Sequence, residues 1–276
     1  MNDIPKKSLG QHWLRDPQVL EAIVDLAMIE PADTVLEIGP GLGTLTHYLA
    51  RQARHVVAVE FDEVLAAKLP QRVQAANLSV VQEDILKFDL LSLPDRYKVV
   101  ANIPYYLTSN LLRVLSESLN PPRLMVLLVQ KEVAERICAK PGQMSLLSVA
   151  VQLDYSCELG PVVPADMFEP PPKVDSQVVV LRQHFQPLFK QLDRQLFFRV
   201  VKAGFSERRK KVRSSLAAGL HLEKGQVDQI LLSAEVNGDL RAQNLSLAQW
   251  HRIYIEVAAM QSLRNFVTSP APRKKA

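Results

Sequence analysis

The stretch Thr34-Val35-Leu36-Glu37-Ile38-Gly39-Pro40-Gly41-Leu42-Gly43-Thr44 decides the fold. A β-branched apolar run stops at a glycine cluster, and a helical pattern opens at Thr44. The whole chain has ten glycines, and three of them fall between positions 39 and 43. A plain strand-to-helix turn needs one. Three permit a tight turn and let a ligand approach the backbone closely. The dinucleotide fingerprint G-x-G-x-x-G would place glycine at 44, where a threonine stands. The pattern is instead E-x-G-x-G-x-G, headed by Glu37.

That spacing resembles the S-adenosylmethionine loop of class I methyltransferases. The surrounding texture agrees with such a Rossmann-like α/β domain. Apolar runs at 34–38, 55–59, 78–81, 98–101 and 123–129 read as strands, with helical patterns between them. Asp16-Pro17 opens the first helix with an N-cap and a proline at the first helical position. Near-continuous apolar strands alternating with helices indicate a parallel sheet covered on both faces. Two further strands, near 156–163 and 176–181, lack a long helix between them and predict an antiparallel hairpin at the sheet edge. From about Arg182 the pattern turns all-helical, over 188–205, 212–218, 224–232 and 244–260. The expected organisation is a catalytic domain over 1–182, a small helical domain over 183–267 and a basic, disordered tail over 268–276.

Charge divides along the same line. The chain carries 33 Lys/Arg against 29 Asp/Glu, a net charge of +4. Residues 1–181 sum to −6 and residues 182–276 to +10. Between Arg199 and Arg213 seven basic residues face Glu207 alone. Charge of this density suits the phosphates of a nucleic acid. Two cysteines exclude a disulfide framework or a structural zinc cluster, and no metal site is expected. No run of apolar residues is long enough to span a bilayer, and the N-terminus lacks a hydrophobic signal region. A soluble, cytoplasmic, monomeric protein is expected.

Three further positions carry chemistry. Glu60 ends the second strand, where a carboxylate can accept from both hydroxyls of a ribose. Asp84 follows the third strand and can accept from an adenine amino group, with Ile85 packing on the ring. The fourth strand ends in Asn102-Ile103-Pro104-Tyr105, where open α/β sheets place their ligands. This tetrapeptide resembles the motif of methyltransferases that modify exocyclic adenine amines. The Asn102 side-chain oxygen and the Ile103 carbonyl can accept the two N6–H bonds. Pro104 fixes the turn, and Tyr105 offers a ring to stack on the base. Phe168, ahead of Pro170-Pro171-Pro172, is a candidate second wall of a base clamp.

Taken with Lys7-Ser8-Leu9-Gly10-Gln11-His12-Trp13-Leu14, Gln130-Lys131-Glu132, Leu147-Ser148-Val149, Phe168 through Ser176 and Phe205-Ser206-Glu207-Arg208-Arg209-Lys210, these motifs span nearly the whole chain in order. The chain resembles the small-subunit ribosomal RNA adenine N6,N6-dimethyltransferase family. The resemblance implies dimethylation of two adjacent adenosines in the hairpin loop near the 3′ end of 16S rRNA, on an immature 30S subunit. It implies S-adenosylmethionine contacts at His12, the Leu14 backbone, Gly39, Glu60, Asp84 and Asn102, with Gln11 orienting the N-terminal segment. Glu37, Gly41, Gly43 and Ile85 complete the expected cofactor set. Lys6, Lys7, Arg208, Arg209, Lys210, Lys211 and Arg213 are the expected RNA contacts. Departures are Trp13 for the family's usual phenylalanine, Gln143-Met144-Ser145 in place of a Tyr-Gly pair, and Ser214-Ser215 in place of asparagines. Rival readings are a 23S rRNA adenine N6-methyltransferase and a mainly non-catalytic 30S assembly checkpoint. An NAD dehydrogenase is disfavoured by Thr44 and by the lack of a hydride-transfer acid.

Overall fold

The computed structural model describes residues 5–6 and 9–268, with side chains described to Met260. Lys7 and the tail beyond Thr268 therefore lie outside the described residues. The chain forms two compact units. The first comprises residues through Cys138 together with Ala150–Gln186; the second comprises Ala139–Val149 and the chain from Pro187.

The first unit opens with a two-residue strand β1 (Trp13–Leu14) and helix α1 (Pro17–Leu26). As expected, the Asp16 carboxylate caps α1, accepting from the Val19 amide at 3.0 Å. Then follow β2 (Thr34–Ile38), α2 (Thr44–Gln52), β3 (His55–Glu60), α3 (Glu63–Val73), β4 (Leu78–Gln82), β5 (Lys98–Asn102), α4 (Thr108–Glu117), β6 (Leu124–Gln130) and α5 (Lys131–Ile137). Helix α6 (Leu146–Gln152) carries the chain back from the second unit, and β7 (Tyr155–Val163), β8 (Phe168–Glu169) and β9 (Ser176–Gln183) complete the first. Seven strands form one sheet in the order β4-β3-β2-β5-β6-β9-β7. The first five in that order are parallel; β9 runs antiparallel to both β6 and β7. The edge hairpin expected from the sequence is present, with its later strand inserted beside β6.

Burial explains the strand composition. Val35, Leu36, Val99, Val100 and the whole of Met125–Val129 are completely buried, as a sheet covered on both faces demands. Each such side chain contributes roughly 1.5–3 kcal/mol on transfer from water. Order reverses between β2 and β5, since β3 and β4 lie to one side and β6 to the other. A crevice opens beyond the carboxyl ends of strands at such a switch point. The opposite ends hold a buried ion cluster. Lys98 Nζ lies 2.7 Å from Asp33, donates to the carbonyls of Ala27 and Met28, and shares Asp33 with Arg123.

The second unit contains α7 (Arg194–Phe205), α8 (Val212–Leu220), α9 (Lys224–Ser233) and α10 (Leu247–Thr268). The sequence pattern places the start of the first helix at Leu188. The structure begins it at Arg194, because Gln191 takes a φ of +53° and Asp193 caps the Leu196 amide. The last helix starts at Leu247 rather than Asn244, behind a reciprocal cap in which Ser246 Oγ accepts from the Gln249 amide and Gln249 Oε1 from the Ser246 amide. It also runs on to Thr268. The unit boundary falls at Gln186/Pro187 rather than 182/183, and residues 139–149 belong to the helical unit. The Gly142 and Met144 amides both donate to the Gln243 carbonyl, at 2.9 and 3.1 Å. The Gln143-Met144-Ser145 departure thus lies in a loop fastened within that unit. Trp250, Phe197, Val200 and Leu216 fill the unit's core.

Candidate active site

Four strand ends meet at the switch point. Gly39, which follows β2, donates its amide to the Val59 carbonyl at 2.9 Å. Beyond β4, the Glu83 amide reaches the Glu60 carbonyl at 3.0 Å. Ile103, after β5, donates to the Leu128 carbonyl at 3.1 Å. Each loop therefore continues the sheet for one residue before turning away. The cleft this leaves has a volume of about 320 Å³. It is lined by Gln11, His12, Leu14, Glu37, Gly39, Gly41, Glu60, Asp84, Ile85 and Asn102 through Tyr105. Gly43 is absent from the lining. It packs the loop instead: φ is +85°, and a Cβ there would stand 2.8 Å from Leu69 and 2.9 Å from Val73 of α3. Gly39 is the opposite case, with φ +66° and nothing within 4 Å of where its Cβ would be. Its missing side chain leaves open space in the cleft.

Two buried carboxyls stand beside the loop. Glu60 Oε2 accepts from the Gly41 amide at 3.0 Å and Oε1 from the Asp62 amide at 2.9 Å. Burial raises its pKa, the two amides hold the rise back, and the Asp62 charge adds to it. Glu37 is buried completely, and its Oε2 makes no hydrogen bond among the described residues. Burial pushes Glu37 up to about 8; Thr46 opposes the rise and the Glu60 charge reinforces it. At neutral pH Glu37 is thus largely protonated, which spares the cleft a second negative charge next to Glu60. The Asp84 carboxylate accepts from the Leu86 amide at 3.0 Å, and Ile85 is buried behind it.

The acceptor turn occupies the other side. Asn102 Nδ2 donates to the His12 carbonyl at 3.2 Å. Its Oδ1 has no partner among the described residues. Tyr105 opens a short 3₁₀ turn, Tyr105–Leu107, and its hydroxyl lies 2.9 Å from Ser176 Oγ. Burial raises the pKa of that phenol. The His12 and Tyr105 rings stack with centroids 6.0 Å apart.

The way the N-terminal segment is fastened is not legible in the sequence. β1 pairs antiparallel with β8, Trp13 opposite Glu169 and Leu14 opposite Phe168. His12 Nδ1 lies 2.6 Å from the Pro170 carbonyl, and Thr44 Oγ1 donates to the Leu14 carbonyl at 3.0 Å. Gln11 Oε1 accepts from the Lys6 amide at 2.7 Å. Strands of two residues are too short to show a period, so only the apolar pair Trp13-Leu14 ahead of the Asp16 cap hints at them.

Other expected site residues are engaged within the chain. Phe168 does not line the cleft. It is 4% exposed and belongs to the core with Leu14, Leu20, Val163 and Val178, because its pairing with Leu14 turns the ring inward. Lys6 is committed to an ion pair with Asp62 at 2.7 Å. Burial works to raise the Asp62 carboxyl, yet Lys6 and the α3 amides hold it below the usual range. In the helical unit, Lys210 pairs with Glu207 at 2.6 Å, Lys211 with Asp239 at 3.1 Å, and Arg213 lies 3.6 Å from both Asp228 and Asp239. Arg208 and Arg209 are exposed and carry no ion pair among the described residues.

A parallel sheet with its ligand cleft at this switch point, floored by a glycine loop and a strand-end glutamate, is the fold of the Rossmann-like S-adenosylmethionine-dependent methyltransferases. The sequence model of the ribosomal RNA adenine dimethylase family matches residues 2–259, and the chain belongs to that family. It is 39% identical over 257 residues to the ribosomal RNA small subunit methyltransferase A of Dehalococcoides mccartyi, covering 92% of this chain and 88% of that protein. Its fold is similar to that of a dimethyladenosine transferase from Plasmodium falciparum, with a TM-score of 0.80, 26% identity, and coverage of 91% of this chain and 98% of that one. The 23S rRNA methyltransferase ErmE gives a TM-score of 0.74 at 28% identity, covering 89% and 99%. Among the described residues no helix is long and apolar enough to cross a membrane.

Proposed function

We propose that this chain transfers methyl groups from S-adenosylmethionine to N6 of two adjacent adenosines in the 3′-terminal hairpin loop of 16S rRNA. It acts as a monomer on an immature 30S subunit in the cytoplasm.

The cleft fits the cofactor on two grounds: open space beside Gly39, and a buried strand-end acceptor in Glu60. On this reading Gln11, His12, Leu14, Gly39, Gly41, Glu60, Asp84 and Ile85 hold it, Glu60 facing the ribose and Asp84 the adenine amine. When bound, the cofactor supplies a methyl group made electrophilic by a positively charged sulfur.

The observation that carries the reading is Asn102. Its N–H is committed to His12, so its oxygen is left to accept from a substrate. An adenine amine offers two N–H bonds and a nitrogen lone pair delocalised into the ring. Asn102 Oδ1 and the Ile103 carbonyl accept those two bonds and favour the sp³-like geometry in which the lone pair is available. Pro104 fixes the turn, and Tyr105, tethered by Ser176, supplies a face for the base. No strong general base is needed, because the methylated ammonium is acidic enough to shed its proton to water. Positioning and preorganised acceptors do most of the catalysis.

The helical unit is proposed to hold rRNA phosphates, through Arg208 and Arg209 above all. The small-subunit target is supported by the name of the Dehalococcoides mccartyi relative, to which the chain is 39% identical. Labelled cofactor incubated with unmethylated 30S and 50S particles, followed by mapping, tests the assignment. Two adjacent adenosines labelled in 30S is the expected result; label confined to 50S would refute it.

A further inference from the structure

Resting on that reading, we propose that Tyr106 stacks on the nucleotide next to the adenine held by Asn102 and Tyr105. Tyr106 follows the acceptor turn directly and lines the same cleft. The two neighbouring tyrosines are treated in opposite ways. Tyr105 is half-buried and tied to Ser176; Tyr106 is 66% exposed, and its hydroxyl makes no hydrogen bond among the described residues. The ring is nevertheless propped. It rests over Gly10, where a Cβ would stand 3.4 Å from Tyr106 Cε1 and 3.7 Å from Pro104 Cβ. The ring is thus held in place along the cleft with most of its surface left in water, where a base can reach it.

The substrate supplies the explanation. A base drawn into the cleft leaves its stack, and its neighbour loses a stacking partner at the same moment. An exposed aromatic ring one residue beyond the base-binding tyrosine can replace that partner. Stacking needs a π-face and tolerates any base, so it suits a site that must hold two adjacent adenosines in turn. Tyr106 would thus lower the cost of extrusion without touching the methyl donor.

The test compares wild type with Tyr106→Ala, Tyr106→Leu and Tyr106→Phe on unmethylated 30S particles, with S-adenosylmethionine binding measured separately by calorimetry. Loss of one stacked base corresponds to a fall of about 5- to 150-fold in kcat/KM for the particle. The fall is expected in the KM for particles, for both Ala and Leu, while cofactor affinity and melting temperature stay at wild-type values. Phe is expected to restore activity to within about threefold of wild type, since the π-face remains. Wild-type kinetics in Tyr106→Ala, or full rescue by Leu, would overturn the stacking role and leave the functional reading standing. Failure of the wild-type protein itself to label 30S particles would overturn that reading and this inference together.

Discussion

Replacing Asn102 by alanine removes two interactions whose effects separate in the assay. The first is the acceptor for the substrate amine. Loss of one preorganised polar group aimed at a reacting centre typically costs 10²–10³ in kcat, about 2.7–4 kcal/mol. The second is the 3.2 Å bond from Asn102 Nδ2 to the His12 carbonyl. A neutral bond of that kind contributes about 0.5–1.5 kcal/mol. It secures the segment that carries Gln11, His12 and Leu14 along the cofactor side of the cleft, so its loss should weaken S-adenosylmethionine binding by about 2- to 12-fold. Asn102→Asp divides the effects differently. It keeps an acceptor for the amine but sets a carboxylate oxygen against the His12 carbonyl oxygen, so cofactor binding should suffer more than in the alanine variant. Single-turnover transfer to 30S particles gives the chemical step, and calorimetry gives cofactor affinity. Particle binding should be unchanged in both variants. An alanine variant that keeps kcat within about fivefold of wild type would refute the acceptor role, since the expected loss is far larger. One that binds cofactor with wild-type affinity would refute the tether.

Further outcomes follow from the same structure. Glu60→Gln should weaken cofactor binding at neutral pH by roughly tenfold or more, the scale of a lost hydrogen bond to a charged group. Because burial raises the Glu60 pKa above 4.5, wild-type affinity should already decline at pH values where an ordinary glutamate is still ionised, and the Gln variant should show no such decline in calorimetric titrations across pH. Reversal of charge at Arg208 and Arg209 should weaken 30S binding and flatten its salt dependence by about one unit of slope for each phosphate that is no longer neutralised, with cofactor affinity intact. Equal weakening of both affinities would contradict the division of tasks. Lys98→Met leaves Asp33 buried with Arg123 alone and should cost up to about 3–5 kcal/mol at pH 7 in urea unfolding. Burial favours the neutral Asp33 carboxyl, but Lys98 and Arg123 hold its pKa below 3.8, so the pair stabilises above that pH and its contribution fades as pH falls. The variant's deficit should therefore hold from neutral pH down to about 3.8 and shrink below it, and a deficit that stayed constant below that pH would exclude the ion pair as its source.

The sheet was legible because its central strands β2, β5 and β6 are buried on both faces and read as continuous apolar runs. The glycine loop was legible from spacing, and Glu60, Asp84 and Asn102 from their positions at strand ends. What escapes the sequence lies in pairings between distant segments. The pairing of Trp13 and Leu14 with Phe168 and Glu169 joins positions more than 150 residues apart, and neither strand is long enough to announce itself. For the same reason Phe168 reads as a free loop aromatic when it is a core residue. Basic residues also count differently in three dimensions. Lys210 pairs with Glu207, the one acid of the basic run, but Lys211 and Arg213 face acids that nothing in the sequence singles out, and Asp239 lies 28 positions from Lys211. Charge density alone cannot tell the paired cations from Arg208 and Arg209.

Strand β5 links stability to chemistry within five residues. Lys98 and Asn102 are four positions apart and so project to the same face of the strand. Lys98 is 4% exposed and bound at once to Asp33 and to the carbonyls of Ala27 and Met28, so its position admits no neighbouring substitute. A slip of one residue along β2 and β6 would put Val99 among those acceptors, leave a buried carboxylate short of a cation, and present Ile103 where the amide of Asn102 belongs. The ion cluster at the amino ends therefore fixes the register that delivers Asn102 to the cleft. A chain that must hold an amine with one side-chain oxygen and one backbone carbonyl has little tolerance for sliding. The buried charges at the far end of the sheet meet that requirement, although they lie outside the cleft and take no part in the transfer itself.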